Sequence, residues 1–490
     1  MNLIELCKAA NIDCGYKSVE IKGIKSNSAK VEEGDLFVCV EGLKNDGHLF
    51  VEEARKRGAA AVLAQKTIDS DIPVIYTDNT RKALPLICDA WYGYPSRKLK
   101  LIAVTGTNGK TSVTYLLKAI FDADMIKSGI IGTVSCKLGD EIISEGKEDS
   151  LANMTTPDPE ELFKLFARMA DGGAEYVFME ASSHALALEK LNGLVFEAAI
   201  FTNLTPEHLD FHRNMDEYFE AKRKLFAQSK KNIINVDDVY GKRLFDLYRD
   251  DSVCCSLAKK CSDYFADEIK DNGIAGSGYH VISRHTRFDV TTSLVGKFNV
   301  MNTLQAAACA CELGVSPTKI KQALLSMNGV KGRLERVKLG AITDFSVFVD
   351  YAHTPDALEK LLETMCNIRN CDERLILVFG CGGDRDKSKR RKMGEIAAKY
   401  ADLTVITSDN SRGENPSEII AEIALGVSGA ACKIIEKREE AIEYVIKNAR
   451  HGDIIVLAGK GHEEYEIDKN GRHYFDERKI VTDSICKYYK

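Results

Sequence analysis

Apolar runs of strand length alternate along the 490-residue chain with stretches whose apolar residues recur at helical spacing. Leu36-Phe37-Val38-Cys39-Val40 predicts a strand and Phe50 to Arg57 a helix. Ala60 to Ala64 and Pro73 to Thr77 predict two more strands, and Arg81 to Ala90 another helix. Tyr94-Pro95-Ser96-Arg97 breaks the pattern and places a boundary near residue 97. A second region opens with the run Leu101-Ile102-Ala103-Val104. Its later strands are expected over Tyr176 to Met179, Ala198 to Thr202 and Asn232 to Val236, and its helices over Glu160 to Ala170, Asp216 to Ala227 and Asn299 to Leu313. Gly329-Val330-Lys331-Gly332 marks the next boundary. Beyond it, strands at Val347 to Val349, Leu375 to Phe379, Leu403 to Ile406 and Ile454 to Leu457 alternate with helical stretches. Such alternation predicts an α/β protein of three domains, 1–97, 98–331 and 332–490, with parallel sheets in the later two.

Composition narrows the function class. The chain is 44% hydrophobic and 29% charged, and at roughly 150 residues per domain its length accommodates three cores. A net charge of −6 excludes a chain-wide electrostatic footprint for nucleic acid or anionic membrane. No apolar run approaches the roughly 18 residues of a membrane span, and Met1 to Lys8 lacks the apolar core of a signal peptide. The 15 cysteines contain no C-x-x-C pair and are expected to be reduced thiols in a cytoplasmic protein.

Candidate chemistry begins at Thr105-Gly106-Thr107-Asn108-Gly109-Lys110-Thr111, where a predicted strand runs into a helix. Backbone N–H groups at a helix start cradle phosphate, a lysine reaches the terminal phosphates, and Thr111 is placed to hold Mg²⁺. The longer phosphate loop would carry glycine at 104, where this chain has Val104. Glu180 follows a strand, where it could be an oxygen ligand for Mg²⁺ or a capping carboxylate for the helix starting near Ser182. His208 sits in a polar turn, where a lone histidine is more often structural. Lys222 lies in a helix whose Tyr218, Phe219, Leu225 and Phe226 face inward, and from the residues alone it reads as a snorkelling surface lysine. Asn302 could start a helix, and Arg333 with Asp350 could be a surface pair of little energetic weight.

The short loop resembles the ATP site of the Mur ligase family, with its folylpolyglutamate and cyanophycin synthetase relatives. Further motifs continue the match: Asn153-Met154-Thr155-Thr156-Pro157-Asp158, Glu180-Ala181-Ser182-Ser183-His184-Ala185-Leu186 and Asn203-Leu204-Thr205-Pro206-Glu207-His208-Leu209-Asp210-Phe211-His212. So do Tyr218 to Phe226, Gly296-Lys297-Phe298-Asn299-Val300-Met301-Asn302, Asp350-Tyr351-Ala352-His353-Thr354-Pro355 and Gly380-Cys381-Gly382-Gly383-Asp384-Arg385-Asp386. The motif order is similar to the branch of the family that adds the third residue of the peptidoglycan stem peptide.

The resemblance implies a UDP-binding N-terminal α/β domain, a central P-loop-type ATPase domain with a parallel sheet and a Rossmann-like C-terminal domain. It implies an ATP-dependent ligase, monomeric and cytoplasmic, that joins an amino acid to UDP-N-acetylmuramoyl-L-alanyl-D-glutamate through an acyl phosphate. In that reaction two anions must meet, so cations and aimed donors matter more than a protein nucleophile. Lys110, Glu180, His208 and Lys222 take the catalytic places, with Thr111, Glu180, His208 and an N-carbamylated Lys222 around Mg²⁺. Carbamylation turns the cation into a carboxylate-like ligand. Asn302, Arg333 and Asp350 join the loop in holding ATP, Arg333 reaching phosphate across a domain gap. Ser28 and the turn Glu41 to Gly47 resemble the UDP-binding turns, and Thr155, Thr156, Ser182 and Lys190 the muramoyl-peptide wall. On that wall the usual glutamine and arginine are replaced by Leu188, which has no amide to hydrogen-bond, and Lys190, which keeps the charge but loses the fork.

The family divides between meso-diaminopimelate and L-lysine as the added residue. Diaminopimelate enzymes carry Asp-Asn-Pro-Arg, whose arginine pairs with the distal carboxylate, and this chain reads Asp409-Asn410-Ser411-Arg412. A guanidinium suits a carboxylate that lysine lacks, so meso-diaminopimelate is the expected acceptor, with Arg385, Gly459 and Glu463 as further contacts. Ser411 in place of proline frees one backbone torsion. Ligation of L-lysine, a non-catalytic relative that binds the precursor, and a plain ATPase are the competing readings. The last two leave the muramoyl-like motif or Lys222 without a use.

Overall fold

A computed structural model describes residues 1–15, 19–42, 45–144, 155–209, 211–327, 329–339 and 343–489. Leu43, Lys44, Asn153, Met154 and Asp210, which belong to the motifs above, lie outside the described residues. The chain divides into two compact units, one of residues 1–255 with 305–315 and the other of residues 256–304 with 316–490.

The first unit holds two sheets. The smaller joins β1 (Gly23–Lys25), β2 (Asp35–Val38), β3 (Ala61–Ala64) and β4 (Val74–Tyr76) in that order, all parallel. β2 and β3 are buried along their whole length, all apolar except for Asp35 at the start of β2. The larger is built from β5 (Lys100–Thr105), β6 (Ser128–Ile131), β7 (Cys136–Leu138), β8 (Glu141–Ser144), β9 (Tyr176–Glu180), β10 (Ala198–Phe201), β11 (Asn232–Asn235) and β12 (Ser252–Ser256). These run β12-β11-β10-β5-β9-β6-β7-β8, with β5 parallel to both its neighbours β9 and β10. After β5 the chain forms the helix Lys110–Ala123 and enters the sheet again at β6, beyond the place that β9 later fills. The order therefore reverses at the carboxyl end of β5, where open α/β sheets bind ligands.

The second unit contains β13 (Tyr264–Asp271), β14 (Ser277–Ser283) and β15 (Arg287–Thr292), an antiparallel set that the hydrophobic pattern did not signal. It also contains the sheet β16 (Glu335–Arg336), β17 (Ser346–Asp350), β18 (Leu375–Phe379), β19 (Leu403–Ile406), β20 (Cys432–Ile434) and β21 (Ile454–Ala458), in the order β16-β17-β21-β18-β19-β20. All but β16 are parallel, and apolar clusters cover both faces, with Phe348, Leu377 and Val456 in one and Val349, Val378 and Leu457 in the other. A hairpin of β22 (Tyr465–Asp468) and β23 (Gly471–Tyr474) follows, then the last helix, Glu477–Tyr488. That helix begins on a fully buried ion pair in which Arg438 Nε donates to Glu477 Oε1 at 2.8 Å, while Arg438 Nη2 donates to the carbonyl of Ala458 at 2.8 Å. All fifteen cysteines are free thiols, and among the described residues no helix is long and apolar enough to cross a membrane.

Candidate active site

The phosphate loop leaves β5 and turns into the helix Lys110–Ala123 through Gly109, whose φ of 88° is the left-handed conformation that glycine enters without strain. Gly106 is needed for a different reason, since a Cβ there would lie 1.9 Å from Thr202 Oγ1. The loop is strapped to the segment after β10. Thr107 N donates to Asn203 O at 2.9 Å, Asn108 N to Asn203 Oδ1 at 3.0 Å, and Thr202 Oγ1 to Asn108 O at 2.6 Å. Thr202 and Asn203 thus hold the loop in shape, a role the sequence reading did not assign although it recognised the Asn203-Leu204-Thr205-Pro206 motif.

Two lysines converge on this loop. Lys110 Nζ donates to Gly106 O at 2.9 Å and Thr107 O at 2.8 Å, and Lys222 Nζ donates to the same Gly106 O at 3.0 Å. Lys222 is only 1% exposed, over the ring of Tyr218 at 4.7 Å from its centroid, so the reading of it as a snorkelling surface lysine is overturned. Tyr218, Lys222 and Phe226 are spaced four apart on the helix Met215–Phe226 and share its buried face, a signal that was present in the sequence. Burial pushes the Lys222 ammonium well below the usual lysine range, the charge of Lys110 pushes it further, and Glu207 opposes both.

Glu180 ends β9 directly opposite Val104 of β5, which sets its carboxylate at the same end of the sheet as the loop. The group is 1% exposed and accepts from Thr133 N at 2.9 Å and Thr133 Oγ1 at 3.1 Å. It does not cap the following helix, because Ser182 does so, accepting from Ala185 N at 3.2 Å. Thr133 Oγ1 also donates to Thr155 Oγ1 at 3.1 Å, and Thr156 Oγ1 donates to the carbonyl of Glu180 at 2.8 Å. Thr155, Thr156 and Ser182 are therefore contiguous with Glu180. Thr133 went unrecognised in the sequence, where an isolated threonine carries no spacing signal.

His208 adopts a positive φ of 56° and sets its ring edge-on to His184, 4.9 Å between centroids. Its ring also faces Tyr218 at 6.3 Å, the tyrosine that carries Lys222. Among the described residues no three His, Cys, Asp or Glu side chains are grouped to hold a metal ion. Glu180, His208 and Thr111 alone are thus an incomplete donor set, and Lys222 as an amine adds no negative charge to it. Lys190 forms an ion pair with Asp158 at 2.7 Å, and Ser28 Oγ donates to Glu53 at 3.0 Å.

In the second unit, Asn302 lies within the helix Lys297–Glu312 and does not start it, and its amide donates to Asn299 Oδ1 at 3.1 Å. Asp350 ends β17 and accepts from Leu334 N at 2.6 Å and Ala352 N at 2.7 Å, so it is a turn-forming carboxylate more than half of a surface pair. Burial raises its pKa and the Arg333 charge opposes that rise, while the Arg333 guanidinium stands 4.7 Å from the centroid of the Tyr351 ring.

The Asp409 to Arg412 turn follows β19. Asn410 Oδ1 accepts from Lys460 Nζ at 3.1 Å and Ile467 N at 2.9 Å, which turns its NH2 toward Glu463 Oε2 at 2.8 Å. Asp409 is buried, which pushes its carboxyl up, but Lys460 and Arg438 outweigh this and hold it below the ordinary value. Glu463 is pushed the other way, by burial and by the Asp409 charge. Gly459 has a φ of 116°, which L side chains rarely adopt, and a Cβ would meet Asp409 Oδ2 at 2.7 Å. Arg412 donates to Gly383 O at 2.9 Å from a backbone with φ of 50°, and Arg385 is exposed in the facing loop. The turn thus brings two arginines, a raised-pKa carboxyl and an amide of fixed orientation into one place. Lys460, wholly buried beneath them, was not singled out from the sequence.

Family models match at residues 20–89 (Mur ligase family, catalytic domain), 104–310 (Mur ligase middle domain) and 332–461 (Mur ligase, glutamate ligase domain). The chain is 43% identical to the UDP-N-acetylmuramoyl-L-alanyl-D-glutamate--2,6-diaminopimelate ligase 1 of Clostridium acetobutylicum, over 97% of each chain. It is 44% identical to the ligase of the same name from Syntrophomonas wolfei, over 99% of each. A solved structure titled as that ligase superposes with a TM-score of 0.72 at 30% identity over 100% of both chains. The MurF ligase of Thermotoga maritima in complex with ADP shares the fold, with a TM-score of 0.56 at 18% identity over 97% of this chain and 98% of that one. With three domain models in sequence and full-length relatives above 40% identity, the chain belongs to the Mur ligase family.

Proposed function

We propose that this chain is the cytoplasmic, monomeric ATP-dependent ligase that adds meso-2,6-diaminopimelate to UDP-N-acetylmuramoyl-L-alanyl-D-glutamate in peptidoglycan precursor synthesis. The observation that carries the acceptor assignment is the meeting of Arg385 and Arg412 about Gly382, with the Arg412 charge acting on Glu463. Neither arginine forms an ion pair among the described residues, and a distal carboxylate supplies the missing anion. The amino-acid end would contact Asp409, Asn410, Gly459 and Glu463. The names of the full-length relatives support the same reading.

In the first step a carboxylate oxygen of the dipeptide attacks the γ-phosphorus of ATP, the bond to the β-phosphate oxygen breaks, and ADP leaves. Lys110 and the N–H groups of Gly106 to Thr111 neutralise and orient the phosphates. Asn302, Arg333 and Asp350 hold the nucleotide from the second unit's residues. Thr155, Thr156, Ser182 and Lys190 hold the peptide, and Ser28 the uridine end. In the second step the acceptor amine attacks the acyl phosphate carbon, phosphate leaves, and the nitrogen gives up its proton.

The Lys222 amine, buried and pushed toward neutrality, fits carbamylation. Its lone pair adds to the carbon of CO2, a proton is released, and a carbamate anion replaces a cation beside Lys110. That anion would complete the donor set with Thr111, Glu180 and His208 for Mg²⁺, which would offset the charge of the two reacting anions.

Phosphate release from ATP, Mg²⁺ and the UDP-dipeptide, compared with meso-diaminopimelate and with L-lysine, tests the proposal. Turnover confined to meso-diaminopimelate is expected. A preference for L-lysine would overturn the acceptor assignment, and release that needs no acceptor would overturn the ligase.

A further inference from the structure

Arg385 and Arg412 stand on different loops, after β18 and after β19, yet both reach Gly382. A Cβ on Gly382 would lie 3.9 Å from Arg385 Cγ and 2.9 Å from Arg412 Nη1. The Arg412 guanidinium and the Arg385 stem thus share one glycine, and cationic side chains on separate loops repel each other unless something joins the loops.

Several bonds join them, with one carboxylate at the centre. Glu414, two residues past Arg412, accepts from Asp384 N of the facing loop at 2.6 Å. It also takes both ends of the Arg390 fork, Nη1 at 3.1 Å and Nη2 at 3.0 Å, and Lys387 Nζ at 3.0 Å. Asp384 returns the link, accepting from Gly413 N at 3.0 Å, and Gly383 N donates to Asn410 O at 2.9 Å. Arg390 is wholly buried, also donates to Glu422 at 2.9 Å and Gly382 O at 3.3 Å, and so anchors the joint to the helix Ser388–Tyr400. Arg390, Lys387 and the Asp384 N–H together hold the Glu414 carboxyl down to about 2, so the joint stays charged at any physiological pH.

We propose that Glu414, clamped by Arg390, is a positioning residue that sets the separation of Arg385 and Arg412 and thereby the preference for an acceptor with a second carboxylate. The inference rests on the acceptor reading above. Glu414 touches no reacting atom, so its loss should move acceptor binding and leave phosphoryl transfer alone.

Steady-state kinetics of Glu414→Gln, which keeps the shape and removes the charge, make the test. The KM for meso-diaminopimelate is expected to rise about tenfold or more, as displacements near 1 Å at a binding site do. The kcat, the KM for ATP and the KM for the UDP-dipeptide should stay at wild-type values. Glu414→Asp, which keeps the charge on a shorter arm, should lie between the two. If Glu414→Gln is poorly folded, Arg390→Lys supplies the same reading with the buried stem intact. An unchanged KM for meso-diaminopimelate in these variants, or an equal rise in all three KM values, overturns the positioning role. Wild-type protein without diaminopimelate-dependent turnover overturns the acceptor reading itself, and this inference with it.

Discussion

At the scale of single residues, Lys222 concentrates the chemistry. An ammonium with 1% exposure has lost its water, and its nearest charged neighbour, Lys110, bonds to the same carbonyl. The neutral amine is the form such a site favours, and it is the form that reacts with CO2. Protein equilibrated with ¹³C-bicarbonate is therefore expected to show a carbamate carbon resonance that Lys222→Ala lacks. The same variant should lose about 10²-fold or more in turnover, the scale of removing one preorganised charge-stabilising group. A fully active alanine variant would remove the carbamate from the mechanism. The burial was legible in principle from the four-residue spacing to Tyr218 and Phe226. The chemical identity of a lysine still argues for the surface, and only the fold shows which preference wins.

Among elements, the parallel strands announced themselves and the antiparallel ones did not. β10 and β21 are buried and apolar at every position, as is β5 between its end residues Lys100 and Thr105, so the runs stand out. β14 and β15 alternate buried with more exposed positions, and the polar half dilutes the signal below that of a loop with scattered valines. What elements contribute to the site is the exact meeting of strand ends, and Gly106 shows its tolerance. Gly106→Ala would push against Thr202 Oγ1, one of the groups that hold the loop to the end of β10. We expect nucleotide affinity to fall about tenfold while the secondary-structure content by circular dichroism stays the same. Unchanged binding of ADP would show that the strap yields freely.

Over the whole molecule the proposed chemistry is divided. Lys110, Glu180, His208, Lys222, Thr155, Thr156 and Ser182 belong to the first unit, while Arg385, Arg412 and Glu463 belong to the second along with Asn302, Arg333 and Asp350. On the roles proposed above, making the acyl phosphate needs nothing from the Asp409 to Arg412 turn. In Arg412→Lys, single-turnover formation of ADP from ATP and the UDP-dipeptide should match wild type, while meso-diaminopimelate saturates at a concentration about tenfold higher for want of the bidentate pair. Loss of both together would place Arg412 in the phosphoryl step. The phosphate loop, the Asp409 to Arg412 turn and the motif order stand out in the sequence because they concentrate unusual residues at fixed spacings. The supports beneath them, Thr133, Lys460, Arg390 and Glu414, were not, because partners distant in sequence meet only through the fold.

The buried Arg438–Glu477 pair gives the end of the chain more weight than its distance from any substrate suggests. Cut before Glu477, the protein would keep every residue of the Asp409 to Arg412 turn but take from Arg438 its buried carboxylate partner. The Arg438 guanidinium also helps to keep Asp409 ionised and donates to the carbonyl of Ala458, next to Gly459. The final helix is thus part of the counterion economy of the acceptor turn, and a protease that nicks the tail would blunt amino-acid selection before it touched the nucleotide chemistry.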